Sequence, residues 1–185
     1  MSVTPRTYPW ESQLGGRPVS IRLMRPEDRD LFKKFIRSLP AEDNFYLMVD
    51  VQSDRAIDEW MKGVESGQTT SVVALEDGQI IGYCNLHTNE VPWRRHLAEI
   101  RMSVSRACRG RGLGKTLANE AFTIARSRGV QKIWARMAAS QKGAQKVFES
   151  LGFNAEALLA DFVMDANGRT DDLVIMSYDV TGFVQ

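Results

Sequence analysis

The stretch "SVSRACRGRGLGKTLANEA", Ser103 to Ala121, holds the residues whose types and spacing could do chemistry. Arg109, Gly110, Arg111, Gly112, Leu113 and Gly114 run into Lys115 and Thr116 just ahead of a helical pattern. Such a turn suits a phosphate, because glycine allows dihedrals closed to other residues and lets an anion approach the main chain. The first helical N–H groups, roughly those of Gly112 to Thr116, have no intrahelical partner and would point at that anion. A nucleoside-triphosphate loop needs Gly, four residues, then Gly-Lys-Ser/Thr. Gly114-Lys115-Thr116 supplies the end, but Arg109 stands where the first glycine belongs. A dinucleotide turn needs Gly-x-Gly-x-x-Gly, and Lys115 takes the place of the third glycine. A short turn of this kind fits a pyrophosphate. The plainer alternative is a glycine-rich strand-to-helix turn that holds nothing.

The elements that must position this turn are legible around it. "LAEIRMSV" alternates Ala98, Ile100, Met102 and Val104 with Glu99, Arg101 and Ser103, and predicts a strand. "LGKTLANEAFTIARSRG" predicts a helix with Leu113, Leu117, Ala121 and Ile124 on one face and Gly129 as its stop. Upstream, "VSIRLM" (Val19 to Met24) reads as a strand. A helix opens at Pro26-Glu27-Asp28 and ends before Pro40. "AEDNFYLMVD" is a loop or short helix, and residues from about Asp54 to Glu65 form a second helix. "TTSVVALEDGQIIGYCNLHT" is a hairpin turning at Asp77-Gly78. "QKIWARM" is a strand and "SQKGAQKVFESLGF" a helix. "ALLADFVMDANGRTDDLVIMSYDV" is a strand pair around Asn167-Gly168. The fold class is α/β (α+β), a mixed sheet with helices packed on it. Residues 1–17 read as an extended arm and 18–185 as one domain.

Composition narrows the classes. The chain has 185 residues, 43% hydrophobic and 25% charged, with net charge +1. That balance has no pull toward nucleic acid or anionic membrane. The apolar runs are too short to span a bilayer, and the N-terminus has no secretory signal pattern, so a cytoplasmic location is expected. Cys84, Cys108, His87 and His96 form no metal-ligand spacing, and no metal is expected.

"VSRACRGRGLGKTL" resembles the acetyl-CoA signature of the GNAT N-acetyltransferases, Arg/Gln-x-x-Gly-x-Gly/Ala after a strand ending in Val, met by Arg109, Gly112, Gly114 and Val104. "QKGAQKVFESLGF" is similar to the second signature of that family, with Ala144, Gly152 and Phe153 in register. Gln141 stands for its usual Asn and Phe148 for its usual Tyr, which in many relatives is thought to protonate the departing thiolate. The resemblance extends from about Val19 to Tyr178. "SIRLMRPEDRDLFKKFIRSLPAEDNFYL" and "LAEIRMSVSRACRGRGLGKTL" look more narrowly like the catalytic domain of bacterial Pat-type protein lysine acetyltransferases.

The resemblance implies a mostly antiparallel sheet of about six to seven strands, helices on both faces, and a splay between the fourth and fifth strands, "LAEIRMSV" and "QKIWARM". Acetyl-CoA would be the acyl donor. Its pantetheine would pair with the main chain of Met102, Ser103 and Val104 as an added strand. The Val104 N–H would hold the thioester oxygen as charge develops. Arg109, Gly110, Arg111, Gly112, Leu113, Gly114, Lys115 and Thr116 would seat the pyrophosphate, and Gln141 and Phe148 would also contact the cofactor. The acceptor is a primary amine, a protein lysine or a small molecule, attacked directly in a ternary complex. A catalytically weak acyl-CoA sensor is the alternative. Glu99 is the candidate base, its pKa raised by apolar walls; otherwise it is solvated or salt-bridged, with Arg101 two positions along the same face as a partner. Glu42, Asp43, Asp50 and Asp54, with Phe45 and Tyr46, could line an entrance for a cationic amine. Tyr46, Tyr83, Tyr178 and water are the groups available to protonate the thiolate. The sequence leaves open a monomer or a homodimer.

Overall fold

Two hydrophobic periodicities build the chain into one sheet sandwiched by helices. The structure is a computed structural model, and it describes residues 6–40, 43, 53–88, 91–165 and 167–180. Among these, eight strands form a single sheet in the order β1-β2-β3-β4-β5-β6-β8-β7. The strands are β1 (Trp10–Leu14), β2 (Arg17–Leu23), β3 (Thr69–Glu76), β4 (Gln79–Thr88), β5 (Leu97–Val104), β6 (Lys132–Ala138), β7 (Asn154–Met164) and β8 (Thr170–Asp179). The helices are α1 (Arg29–Ser38), α2 (Asp54–Glu65), α3 (Leu113–Ser127) and α4 (Lys142–Ser150).

The strand count exceeds the expectation by one, because part of the expected N-terminal arm is β1. Trp10–Leu14 pairs antiparallel with β2 across Gly15 and Gly16. Both glycines have positive φ, +62 and +78, a conformation that glycine takes without strain.

Period-two alternation sends side chains of each strand to two cores. Val72, Ala74, Cys84, Leu86, Ala98 and Ile100 face α3 and α4, where they meet Leu113, Leu117, Ala118, Ala121, Ala125 and Phe148. Val73 and Tyr83 face the other way, onto Phe32, Phe35 and Ile36 of α1 and Ile57 and Met61 of α2. The start of α1 is fixed by Asp28. Its carboxylate accepts two bonds from Arg22 at 2.6 and 2.7 Å and one from the Arg25 N–H at 2.8 Å.

The pairing of β5 and β6 positions the site. It is the one parallel pair among the described strands, and it joins only Leu97 to Lys132, Ala98 to Ile133 and Glu99 to Trp134. On its other side β5 stays paired with β4 as far as Val104. β6 stays paired with β8 from Lys132 to Ala138. The two strands therefore part after Glu99 and Trp134. The expected splay is present, here between β5 and β6 of the eight-stranded count.

Candidate active site

The glycine turn delivers the chain from β5 into α3 with its main chain exposed. Gly110 and Gly112 have φ of +75 and +83, and Gly112 is the N-cap of α3. A Cβ at either would meet nothing within 4 Å, so their need for glycine is conformational. Gly114 is needed for a different reason. A Cβ there would sit 3.2 Å from Met102 Cε, so the first turn of α3 rests directly on β5. Leu113 is buried beneath the helix. The Thr116 hydroxyl donates back to the Gly112 carbonyl at 3.3 Å. Lys115 is exposed beside it. The N–H groups at this helix start and the unpaired edge of β5 from Ile100 to Val104 lie in sequence, as a pyrophosphate followed by an extended amide chain requires.

Several side chains do not take their expected places. Arg109 pairs with Asp43 and donates through Nε to the Val104 carbonyl at 3.3 Å. Arg111 does not stand free in the loop; it reaches Glu76 and the Leu14 carbonyl. Gln141 accepts a bond from the Ala138 N–H at 3.0 Å, tying the start of α4 to the end of β6. The Phe148 ring is buried edge-on against Phe153, centroids 4.9 Å apart, in the hydrophobic core. Asp54 is held by Lys33 and Arg37 of α1. Glu42, Phe45, Tyr46 and Asp50 lie outside the described residues. Tyr178 is stacked on Phe122 on the α3 side of the sheet, centroids 5.0 Å apart. The Tyr83 hydroxyl is fully buried against α1 and α2, and burial pushes its pKa far up.

Glu99 sits where β5 and β6 part, beside Leu97 and Trp134 and within reach of two arginines. Its carboxylate accepts from Arg101 Nε and Nη2 at 2.9 and 3.0 Å and from Arg136 Nε at 3.0 Å. Burial pushes the Glu99 pKa up. The hydrogen bond and charge of Arg101 and the charge of Arg136 outweigh it and hold the group below the ordinary carboxylate range. The expected upward shift is therefore reversed. The Glu99–Arg136 pair also bridges β5 to β6 as their ladder ends.

A cavity of about 280 Å³ opens beside Glu99, lined by His87, Arg94, Trp134 and Arg136 with Thr88 and Leu97. A second, of about 330 Å³, shares Arg94, Leu97 and Trp134 and continues toward Ser177. His87 is opposite Glu99 across the β4–β5 ladder. Its Nδ1 lies 2.8 Å from Thr69 Oγ1, and its Nε2 has no hydrogen-bond partner among the described residues. Burial first, then the charge of Arg101, with that of Arg136 added and Glu99 opposing, pushes His87 down to about 4. It is neutral at pH 7. The side chains around Glu99 thus carry a surplus of positive charge. Arg94 and Arg136 were not singled out from the sequence, and His87 was weighed only as a metal ligand. The signal for Arg136 was the alternation of "KIWARM", which sets Lys132, Trp134 and Arg136 on one face. Among the described residues no group of three or more His, Cys, Asp or Glu is placed to hold a metal ion. No helix among them is long and apolar enough to cross a membrane.

A glycine turn on a helix start, leading into a splay between parallel strands, matches a known pattern: the acetyltransferase (GNAT) family profile fits residues 30–153. The chain belongs to the GNAT family. It is an acetyl-CoA-dependent N-acetyltransferase. YwnH of Bacillus subtilis (strain 168), a candidate phosphinothricin acetyltransferase, is 29% identical to this GNAT chain over 124 residues, 66% of this chain and 76% of the relative. The ribosomal protein bS18 alanine N-acetyltransferase of Salmonella typhimurium is 32% identical over 71 residues, 38% of this chain and 47% of that one. The phosphinothricin acetyltransferase of Sinorhizobium meliloti, solved in complex with acetyl-CoA, shares the GNAT fold at a TM-score of 0.75 and 21% identity, over 87% of this chain and 88% of that one. The likeness to Pat-type protein lysine acetyltransferases has no counterpart among these relatives.

Proposed function

We propose that this GNAT enzyme acetylates a small primary amine that carries an acidic group. The arginines around Glu99 are the observation that carries this reading. Arg94, Arg101 and Arg136 outnumber Glu99, and His87 is neutral beside them. A lysine ammonium approaching this basin would meet like charge, whereas a carboxylate or phosphinate would find guanidinium forks. A cavity of about 280 Å³ is also near the lower end for small-molecule sites, roughly 300 Å³. The candidate activity of YwnH, phosphinothricin acetylation, is of this chemical kind. The protein-lysine acceptor that the sequence resemblance raised has the weaker support, because among the described residues lining the cavity no second carboxylate offsets its charge.

On this reading the donor pyrophosphate sits on the N–H groups of Gly112 to Thr116, with Arg109 and Lys115 beside it. The pantetheine lies along the free edge of β5 through Met102, Ser103 and Val104. The Val104 N–H faces the thioester oxygen. The amine nitrogen attacks the thioester carbon, the C–S bond breaks, and the coenzyme leaves as a thiolate. Glu99 takes the amine proton, directly or through water. The acidic group of the acceptor supplies the trigger. By binding Arg101 and Arg136 it competes for the charges that hold Glu99 ionised, and burial then raises the Glu99 pKa toward a useful range.

Thiol release with a panel of acceptors tests this. Phosphinothricin and glutamate are expected to exceed a lysine peptide and a polyamine by at least about tenfold in kcat/KM. Arg136→Met is expected to erase that preference. A lysine peptide turning over best would install the protein-lysine reading instead.

A further inference from the structure

Arg111 stands in the glycine turn, yet its guanidinium is turned back into the protein. Nη2 donates to Glu76 Oε1 at 2.5 Å and to the Leu14 carbonyl at 3.0 Å. Nη1 lies 3.2 Å from Cys108 Sγ in the short helical turn before the glycines. The side chain is only 19% exposed and that of Glu76 12%. Glu76 ends β3 and also receives Arg17 of β2 at 3.5 Å. Leu14 ends β1, and a Cβ on neighbouring Gly15 would lie 3.0 Å from Arg111 Nε. One guanidinium therefore joins the ends of the β1–β2 and β3–β4 hairpins to the turn that opens α3. Most of this contact comes from outside the donor signature, and β1 lies outside the stretch matched by the family profile.

We propose that Arg111 is a positioning residue for acetyl-CoA, held by Glu76, and that it fixes the glycine turn rather than contacting phosphate. The physical need is clear. Gly110 and Gly112 both have positive φ, and glycine is the residue with the most backbone freedom to lose. Main-chain N–H groups bind a pyrophosphate well only if they already face it, and each one ordered on binding lowers affinity. A planar fork that reaches Glu76, the Leu14 carbonyl and Cys108 at once removes that freedom in advance, which a flexible ammonium does not do. The N-terminal strand thus serves the donor site without touching the donor. The inference rests on the pyrophosphate seat proposed above.

Calorimetric titration of the full chain with acetyl-CoA, over a range of salt, separates the roles by sign. Glu76→Gln releases the fork. Positioning requires binding to weaken, by about tenfold, with the salt dependence unchanged and kcat at saturating acetyl-CoA unchanged. Arg111→Lys keeps the charge and loses the fork, and is expected to weaken binding similarly. In the Glu76→Gln/Arg111→Gln double variant the losses are expected not to add, because the two residues act as one unit. Tighter binding by Glu76→Gln would overturn the proposal, since a freed Arg111 would then be a phosphate ligand. Unchanged binding would overturn it too, leaving the clamp a structural tie alone. A wild-type chain that takes up no acetyl-CoA would instead remove the seat itself.

Discussion

Replacing Glu99 with Gln removes the one counter-charge shared by two guanidinium groups. Glu99 is 9% exposed, and the Arg101 and Arg136 side chains are 24% and 26% exposed. Breaking a fully buried pair costs about 3–5 kcal/mol, while exposed pairs are worth roughly 0–1 kcal/mol. With about a quarter of each arginine in solvent, the expected cost lies between, on the order of 2 kcal/mol. For a chain of this size that is a fall in Tm of roughly 4–8 °C. The pH dependence has a fixed sign. The folded-state pKa of Glu99 is depressed, so its stabilisation is complete above the ordinary carboxyl value. It is lost as pH falls through the folded value. The gap between wild type and Glu99→Gln is therefore expected to be flat from neutral pH to about pH 5 and to narrow below it. Calorimetric melts across that range measure it. Equal melting temperatures at pH 7, or a gap that widens in acid, would refute the assignment of Glu99 as the shared anion. The kinetics should divide as well. Glu99→Gln frees the arginines, so KM for an acidic amine is expected to fall while kcat falls with the lost base.

His87 has a folded-state pKa pushed down to about 4, mainly by burial. The unfolded chain therefore takes up a proton that the folded chain refuses, and stability drops by up to about 1.4 kcal/mol per pH unit below pH 6.5; His87→Gln is expected to flatten that slope in urea titrations. Gly112→Ala forces a Cβ residue to φ +83 with no steric clash, so a loss of about 1 kcal/mol in stability is expected, together with weaker acetyl-CoA binding by calorimetry. Asn85 is fully buried, and neither amide atom has a hydrogen-bond partner among the described residues. Asn85→Leu is expected to raise Tm by a few degrees, and a lower Tm would show that the amide is satisfied.

The strand, glycine turn and helix of the proposed donor seat were legible because they are written locally. Glycines at fixed offsets, a strand ending in Val104 and a helix opening at Leu113 specify a turn without help from distant residues. The hairpin at Asp77-Gly78 was legible for the same reason, since an Asp-Gly turn carries its own geometry. β1 was missed because Trp10 is the one strong β former in its five residues WESQL, and its pairing depends on the Gly15-Gly16 turn. The fate of the charged side chains was illegible because each is decided across long sequence distances. Arg111 finds Glu76, Arg109 finds Asp43 and Arg136 finds Glu99 only after strands and turns are assembled. The direction of the Glu99 pKa failed on this point. The pattern "LAEIRMSV" shows Arg101 on the same face, but nothing in it shows that β6 brings a second arginine to the same oxygens.

The same alternation explains why the strands must part. Met102 and Val104 lie on the face covered by the first turn of α3, where the glycine turn stands. Glu99, Arg101 and Ser103 point to the opposite face, where the arginine-lined cavities open. On the proposed reading, a donor seated at α3 and an acceptor held beside Glu99 approach opposite sides of one sheet. In a continuous sheet the β5–β6 ladder would stand between them. Ending that ladder at Glu99 and Trp134 opens a passage and leaves a free main-chain edge on β5 to guide the thioester into it. The cost is several lost ladder bonds near the centre of the sheet, offset in part by the Glu99–Arg136 bridge at the fork. Changes that zip β5 and β6 together beyond Glu99 would gain ladder bonds and separate the two reactants.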